Sequence, residues 1–315
     1  YGWGEYQGKG SCDLFFSQRA GKRWTIPENM GKVNSYKWES QPSFASDGKT
    51  LYFVRGVSAA NGINSQDIYY SVLEEELWST PEKIPGLVNT EMEEESVMIH
   101  PDGKTLYFAS NGHPGMGGMD LFMSKKQPDG SWGKPVNLGY PINTGGDENS
   151  ILVEAEGKLA LFASDRDGGY GGLDLYSFEL PSHVHAEKVT YVAGVVMDAK
   201  SYKYLEAKFE LIDLETGEVV VESYSSFADG SFLVCLPPNR SYALNVSKKG
   251  YLFYSDHFEL KAQNEEPYKL EVRLQKVREG ASMVLENVFF DTDSYTLKPQ
   301  SKIELNKLVG FMGVN

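Results

Sequence analysis

The chain has 315 residues, with 44 acidic against 30 basic side chains and a formal net charge of −14, a balance that disfavours nucleic-acid backbones and anionic lipid surfaces as partners. Aromatic residues make up 13% of it and Tyr alone contributes 19, which suits β-rich architecture; no apolar run reaches the roughly 20 residues of a membrane-spanning helix. The two cysteines, Cys12 and Cys235, fall in different predicted modules, so no structural disulfide is expected and the redox compartment stays open.

From the N-terminus, one motif recurs at an interval near 54 positions: Asp13-Leu14-Phe15 returns as Asp67-Ile68-Tyr69, Asp120-Leu121-Phe122 and Asp174-Leu175-Tyr176. Trp24 returns as Trp78 and Trp132, each followed three residues later by a proline (Pro27, Pro81, Pro135). Asn34 returns as Asn89 and Asn143, each followed five residues later by an acid: Glu39, Glu94 and Glu148. Within a unit, Asp47-Gly48-Lys49-Thr50 and Asp102-Gly103-Lys104-Thr105 lie between apolar runs, and Glu156-Gly157 holds the same place in the next copy. Asp-Gly between two apolar segments predicts a tight hairpin, because both residues tolerate positive φ. A Gly-rich loop follows, then the Asp-bearing strand, then a last strand announced by the Trp. Four short strands per fixed period predict a β-propeller blade. The four recurring carboxylates, Asp13, Asp67, Asp120 and Asp174, are expected to brace their blades by bonding backbone or neighbouring-blade groups, and replacing one is expected to cost about 1–3 kcal/mol where its partners are buried.

The stretches 102–110 and 168–176 resemble the WD40-like (TolB-type) repeat family of bacteria. The resemblance spans roughly 1–180, and implies a partial propeller over 1–181 whose N-terminal blades lie upstream of Tyr1; the total blade number stays open.

Several motifs invite other readings. Gly48-Lys49-Thr50 and Gly103-Lys104-Thr105 lack the glycine four residues earlier and the following helix of a phosphate loop, so they read as turns. Asp165, Asp167 and Asp174 around 168–172 suggest calcium, but the loop has one residue too many for the β-roll pattern, and no metal is expected. His183 and His185 have no Cys or third His nearby in sequence and read as a solvated pair in a linker, 182–187. No nucleophile elbow, His-Glu-x-x-His or Cys-His pairing occurs, so no enzymatic activity and no cofactor are expected.

From about Lys188 the period stops and short alternating strands follow, separated by turns at 215–218, 228–231 and 237–239. This predicts a β-sandwich. Gly194-Val195-Val196-Met197-Asp198, Asp229-Gly230-Ser231-Phe232, Leu236-Pro237, Tyr242 and Lys249-Gly250-Tyr251 resemble the carboxypeptidase regulatory-like family, which implies a transthyretin-like spacer or interaction domain over 188–276.

The segment 277–315 changes character again. A strand at 287–291 precedes Leu297-Lys298-Pro299, where Pro opens a helix whose apolar face is expected to carry Leu305, Leu308, Val309 and Met312. The stretch 288–299 resembles the start of the OmpA C-terminal (Pal-like) domain, an α+β peptidoglycan-binding family. The resemblance implies that Thr292 and Asp293 help line a pocket for the diaminopimelate stem residue; turn and cap chemistry is the other reading of that acid. That family's main Asp and Arg segments lie beyond Asn315, so wall binding is expected to need them. The three-module order resembles OmpA-family proteins of the Bacteroidota type IX secretion system. This implies a mainly β periplasmic protein, outer-membrane-associated and a lipoprotein in full length, whose propeller docks secretion or outer-membrane proteins while its last domain holds peptidoglycan. The alternative is a propeller enzyme or sugar-binding protein that uses the anchor for retention.

Overall fold

A computed structural model describes residues 8–20, 23–59, 62–74, 77–261, 266–288, 290, 293, 295–297 and 299–314. The chain divides into two compact units, Tyr1–Gln18 with Thr25–Val189, and Arg19–Trp24 with Thr190–Asn315. The architecture is mainly β: a run of propeller blades, then a transthyretin-like sandwich, then one helix.

The N-terminal stretch holds β1 (Phe15–Phe16), β2 (Arg19–Ala20), β3 (Arg23–Trp24) and β4 (Glu28–Asn29), with β1 paired to β4 and β2 to β3. The next blade is a meander of β5 (Trp38–Phe44), β6 (Thr50–Ala59) and β7 (Gly62–Glu74), edged by β8 (Leu77–Trp78) and β9 (Glu82–Lys83). A further blade comprises β10 (Glu94–Ile99), β11 (Thr105–Ser110), β12 (Asp120–Lys125) and β13 (Val136–Asn137) in that order. The last comprises β14 (Glu148–Val153), β15 (Leu159–Ser164) and β16 (Asp174–Glu179). The first strands β5, β10 and β14 lie next to one another, as blades around an axis require.

The hairpins form for a local reason. Asp47 Oδ1 accepts the Lys49 and Thr50 amides at 2.9 and 2.8 Å and its Oδ2 takes the Thr50 hydroxyl, while Gly48 supplies φ +79°. Asp102 repeats this on Lys104 and Thr105, with Gly103 at φ +69°. The Gly-Lys-Thr sequences are therefore turn chemistry. Each first strand also carries a bulge, centred on a non-glycine residue at positive φ: Gln41, Ser96 and Ser150 at 51°, 54° and 54°.

Apolar side chains between successive blades form three clusters: Leu14, Met30, Val33, Leu51 and Phe53; then Ile68, Ile84, Val88, Phe108 and Trp132 among others; then Leu121, Leu138, Ile142, Phe162 and Val184 among others. The tryptophans do not share one role. Trp132 is buried, Trp78 is half-buried and Trp24 is exposed, and the outermost strands are β4, β9 and β13, which follow the tryptophans.

The segment 182–187 differs from a free linker. Ser182–Val184 is a 3-10 turn; Val184 is buried, and its carbonyl accepts the Tyr107 hydroxyl at 2.8 Å. Lys125 Nζ donates to His185 O, Glu187 N donates to Asp102 Oδ2, and Val189 N donates to Ala155 O. His185 Nε2 lies 2.6 Å from Leu180 O, whereas His183 is exposed. Two apolar residues, Val184 and Ala186, join the third cluster, which is why the segment docks.

The second unit contains β17 (Thr190–Asp198), β18 (Lys208–Asp213), β19 (Val219–Tyr224), β20 (Ser231–Leu236), β21 (Arg240–Ser247), β22 (Tyr254–Leu260) and β23 (Tyr268–Leu274). They form sheets ordered β20-β17-β23 and β19-β18-β21-β22, and β17 runs parallel to β23. Their inner faces share one core in which Phe209 stacks on Phe232 at 4.4 Å. Gly194 permits that contact, since a Cβ there would sit 2.1 Å from the Phe232 ring. The Tyr242 hydroxyl closes the β20–β21 corner on Pro237 O at 2.7 Å.

The helix α1 (Pro299–Val314) lies against the four-stranded sheet with a face shifted from the one expected, Leu305 and Leu308 being only half-buried. Ser301 and Glu304 are buried, Phe311 meets Phe253 edge-on at 5.9 Å, and Lys307 pairs with Glu210, while Val309 and Met312 are exposed. The reason lies in the sheet's outer face: Glu210, Asn245 and Ser255 stand in register across β18, β21 and β22, so the strands present polar groups. Asn287 joins them through Ser255 Oγ at 2.6 Å.

Candidate functional site

The repeated polar residues converge at the blade edges. Asp13 accepts the Lys9 and Gly10 amides at 2.5 and 2.9 Å and the Asn29 carboxamide at 2.9 Å. Asp120 Oδ2 accepts the Met116 and Gly117 amides at 2.7 and 3.1 Å; Asp174 Oδ2 accepts those of Tyr170 and Gly171 at 2.6 and 3.3 Å. The carboxylates thus gather the Gly-rich loop onto the strand that follows it. Glycine is required there: a Cβ on Gly115 would lie 1.9 Å from Asp120 Oδ2, and one on Gly169 2.2 Å from Asp174 Oδ2. Asp67 departs from this pattern, because its loop is longer and drawn into β7; it pairs instead with Lys83 at 2.7 Å.

The asparagines bridge blades. Asn34 Oδ1 accepts Leu14 N at 2.7 Å and its Nδ2 donates to Leu14 O at 2.8 Å. Asn89 makes the same pair on Ile68 at 2.8 and 2.9 Å, and Asn143 on Leu121 at 2.8 and 2.9 Å. A carboxamide carries a donor and an acceptor side by side, so it imitates a strand neighbour. The acid five residues later locks the connector. Glu94 accepts the Thr90 amide and hydroxyl and the Ser110 hydroxyl; Glu148 accepts the Thr144 amide and hydroxyl and the Ser164 hydroxyl. Glu39 uses Ser35 in the same way and takes Arg55 Nε at 2.7 Å. All three glutamates are fully buried. The sequence reading missed the Ser or Thr directly after each Asn (Ser35, Thr90, Thr144), although it recurs with the same period.

A second polar line runs across the first strands. Ser96 N donates to Gln41 Oε1 at 2.5 Å across two blades, and Glu95 stands between Gln41 and Asn149. Burial raises the Glu95 carboxyl, with Glu93 and Asp147 adding to the effect while hydrogen bonds from Gln41 and Asn149 oppose it. A carboxylate among amides can accept hydrogen bonds from both neighbouring blades. Among the described residues no group of three or more His, Cys, Asp or Glu is placed to hold a metal ion. Asp165 is engaged by the Asp147 amide at 2.7 Å. Cys12 and Cys235 are free thiols, both pushed up chiefly by burial.

His100 is buried, with Nε2 2.8 Å from Glu154 O in the neighbouring blade and Nδ1 receiving the Asp102 amide at 3.1 Å. Burial penalises the charged form of Asp102, yet hydrogen bonds from Thr105 and the Lys104 amide outweigh it and hold the carboxyl down at about 2. Its folded value lies below its unfolded one, so ionised Asp102 contributes stability above about pH 4 that is lost as pH falls toward 2, about 2 kcal/mol in full. Urea midpoints measured from pH 5 to pH 2 should fall with acidification, and Asp102→Asn should flatten that slope; an unchanged slope refutes the assignment.

At the far end of the chain, Asp293 is exposed at φ +56°, in a turn between Phe290 and Leu297, which form a bridge. Thr292 lies outside the described residues.

No protein-family model and no curated protein matches the chain. Among solved structures it is similar to a putative TolB from Agrobacterium tumefaciens, with 13% identity, 68% of this chain and 63% of that one covered, and a TM-score of 0.30. It is also similar to the Bacillus anthracis TIE protein (14% identity, 74% and 44% covered, TM-score 0.25) and to an α-L-arabinofuranosidase from Lactobacillus brevis (14%, 69% and 72%, TM-score 0.33). The chain spans less than two thirds of the first two. Values this low assign no function, and the blade architecture rests on the strand order given above.

Proposed function

We propose that the chain is a non-enzymatic periplasmic scaffold whose propeller docks an outer-membrane-associated complex and whose C-terminal segment belongs to a peptidoglycan anchor. The observation that carries this reading is the engagement of the recurring side chains. Asp13, Asp120 and Asp174, the three asparagines and the three glutamates all bond to the protein's own backbone, so the repeat builds a rigid platform. Rigid elements with exposed loops suit docking. The module order supports the finer assignment by its likeness to OmpA-family proteins of type IX secretion, PorE among them. In that assignment Thr292 and Asp293 contact the wall peptide, and the recurring aspartates brace the blades.

Two measurements test the proposal. Purified protein should turn over no peptide, ester or glycoside substrate; turnover abolished by one point mutation would overturn the scaffold reading. In sedimentation with purified sacculi, a form extended by an OmpA-type domain should co-sediment and the 315-residue chain should not. One charge-assisted contact at Asp293 supplies about 1.5–3 kcal/mol, short of the roughly 4 kcal/mol or more that association costs. Equal retention of the two forms would move wall binding to another module.

A further inference from the structure

Charge is spread unevenly over the two blades β10–β13 and β14–β16. At one end lie the loops between second and third strands, 110–120 and 164–174, and the connectors into the first strands, 88–95 and 137–149. These four segments carry ten carboxylates against one guanidinium and one imidazole. At the other end lie the hairpin turns and strand ends, 100–105, 124–136 and 153–160, with five lysines and an imidazole against four carboxylates.

Hydrogen bonds join the acidic segments into one surface. Asn111 N donates to Glu93 O at 3.2 Å, Gly118 N to Gly146 O at 3.1 Å, Met119 N to Asp147 Oδ1 at 2.8 Å and Asp147 N to Asp165 Oδ1 at 2.7 Å. The guanidinium, Arg166, is engaged internally: it donates to Pro141 O and Ile142 O at 2.8 and 2.6 Å and lies 4.7 Å over the Tyr176 ring. His113 is engaged in the same way, with Nε2 2.7 Å from Val88 O. Glu94, Asp120 and Glu148 are buried, but Glu91, Asp147, Asp165 and Asp167 are exposed, and among the described residues none of these four forms an ion pair. Beside them Met92 is 55% exposed, Met116 51% and Tyr140 77%, and Tyr170 is wholly in solvent. Residues 182–189 of the chain itself dock at the hairpin end, whereas the acidic end keeps these apolar side chains uncovered.

We infer that the acidic loop face is the docking surface of the propeller, and that its partner is a protein segment in which Lys or Arg side chains alternate with apolar ones. The inference rests on the scaffold reading and gives its docking role a place and a partner chemistry. Carboxylates fixed on hydrogen-bonded loops set up a negative potential that attracts a basic segment and repels nucleic acids and anionic lipids. Guanidinium groups answer both features of the face, since they pair with carboxylates through parallel N–H donors and stack on tyrosine rings. The flexible methionines adapt to the apolar side chains between the charges.

The probe is a labelled synthetic peptide repeating Arg-Leu-Arg-Gly, titrated into the 315-residue chain. Saturable binding is expected, weakening as salt is raised, with slowed hydrogen exchange in 116–119, 144–147 and 165–171. A variant carrying Glu91→Gln, Asp147→Asn, Asp165→Asn and Asp167→Asn keeps the side-chain oxygens that accept Met119 N and Asp147 N, and should bind at least about tenfold more weakly. Removing the same charge from the hairpin end, with Asp129→Asn, Glu154→Gln, Glu156→Gln and Glu179→Gln, should change affinity by about twofold or less. Tyr140→Ser with Tyr170→Ser should weaken binding while leaving its salt dependence as it was. Melting temperatures control for folding; if the loop variant misfolds, the exchange pattern of the wild-type protein decides. Equal loss in the two charge variants, absence of saturation, or protection at 126–133 instead overturns the inference. The scaffold reading then stands with another docking face, since that reading is overturned by substrate turnover.

Discussion

Replacing Trp132 by Ala should lower the free energy of unfolding by about 3–5 kcal/mol, the range for truncating a buried aromatic. The side chain is 2% exposed and meets Tyr52 edge-on at 6.0 Å, within the cluster that joins two blades. Its backbone is tied as closely: Trp132 N donates to Pro85 O at 2.9 Å and Trp132 O accepts Leu87 N at 3.2 Å. Gly86 makes this approach possible, at φ +110°, because a Cβ there would fall 2.1 Å from Trp132 O. Trp24→Ala is the internal control. Trp24 occupies the equivalent sequence position but is 68% exposed, so its loss should change stability by about 0.5 kcal/mol or less. Urea unfolding of both variants checks the pair; similar costs would mean that burial does not distinguish the two sites.

Asn143→Ala should cost about 2–4 kcal/mol. The side chain is fully buried and holds three contacts: Leu121 N, Leu121 O and Asn137 Oδ1. Truncation leaves the Leu121 amide buried without a partner and takes one of two donors from its carbonyl, which still receives Leu138 N. An orphaned buried polar group costs about 1–3 kcal/mol, and the cavity adds to it. Asn143→Asp should be at least as costly, since a carboxylate cannot donate to Leu121 O. Asn89→Ala should cost less, because Asn89 is only half-buried and water can reach the groups it leaves. Hydrogen exchange at Leu121 locates the effect: protection should fall there first, and a uniform fall across the blade would mean that the clasp is not local.

Much of the architecture was legible along the chain because the forces that make a blade strand are short-range. Asp102 organises a turn three residues long, and Gly103 meets its φ demand on the spot. The alternation of β20, buried at Phe232, Val234 and Leu236, is written at period two and needs no distant partner to be read. The recurring Asp, Asn and Glu were visible as a period, and their fixed spacing marked them as parts of the repeat rather than as isolated site residues.

The sequence by itself therefore determined the blade period, the hairpin turns and the position of the last helix. Tertiary structure decided what each repeated residue touches. Asn143 reaches Leu121 across 22 positions, a pairing that depends on how two blades abut. Trp132 and Trp24 share a motif but not an environment, since burial is set by neighbours from other strands. The helix was expected to present Leu305, Leu308, Val309 and Met312 as its apolar face; Leu305 and Leu308 are half-buried and Val309 and Met312 exposed, because it meets a sheet face bearing Glu210, Asn245 and Ser255 and answers with Glu304 and Lys307. Periodicity shows which residues share a face; only the surface opposite determines which face is buried.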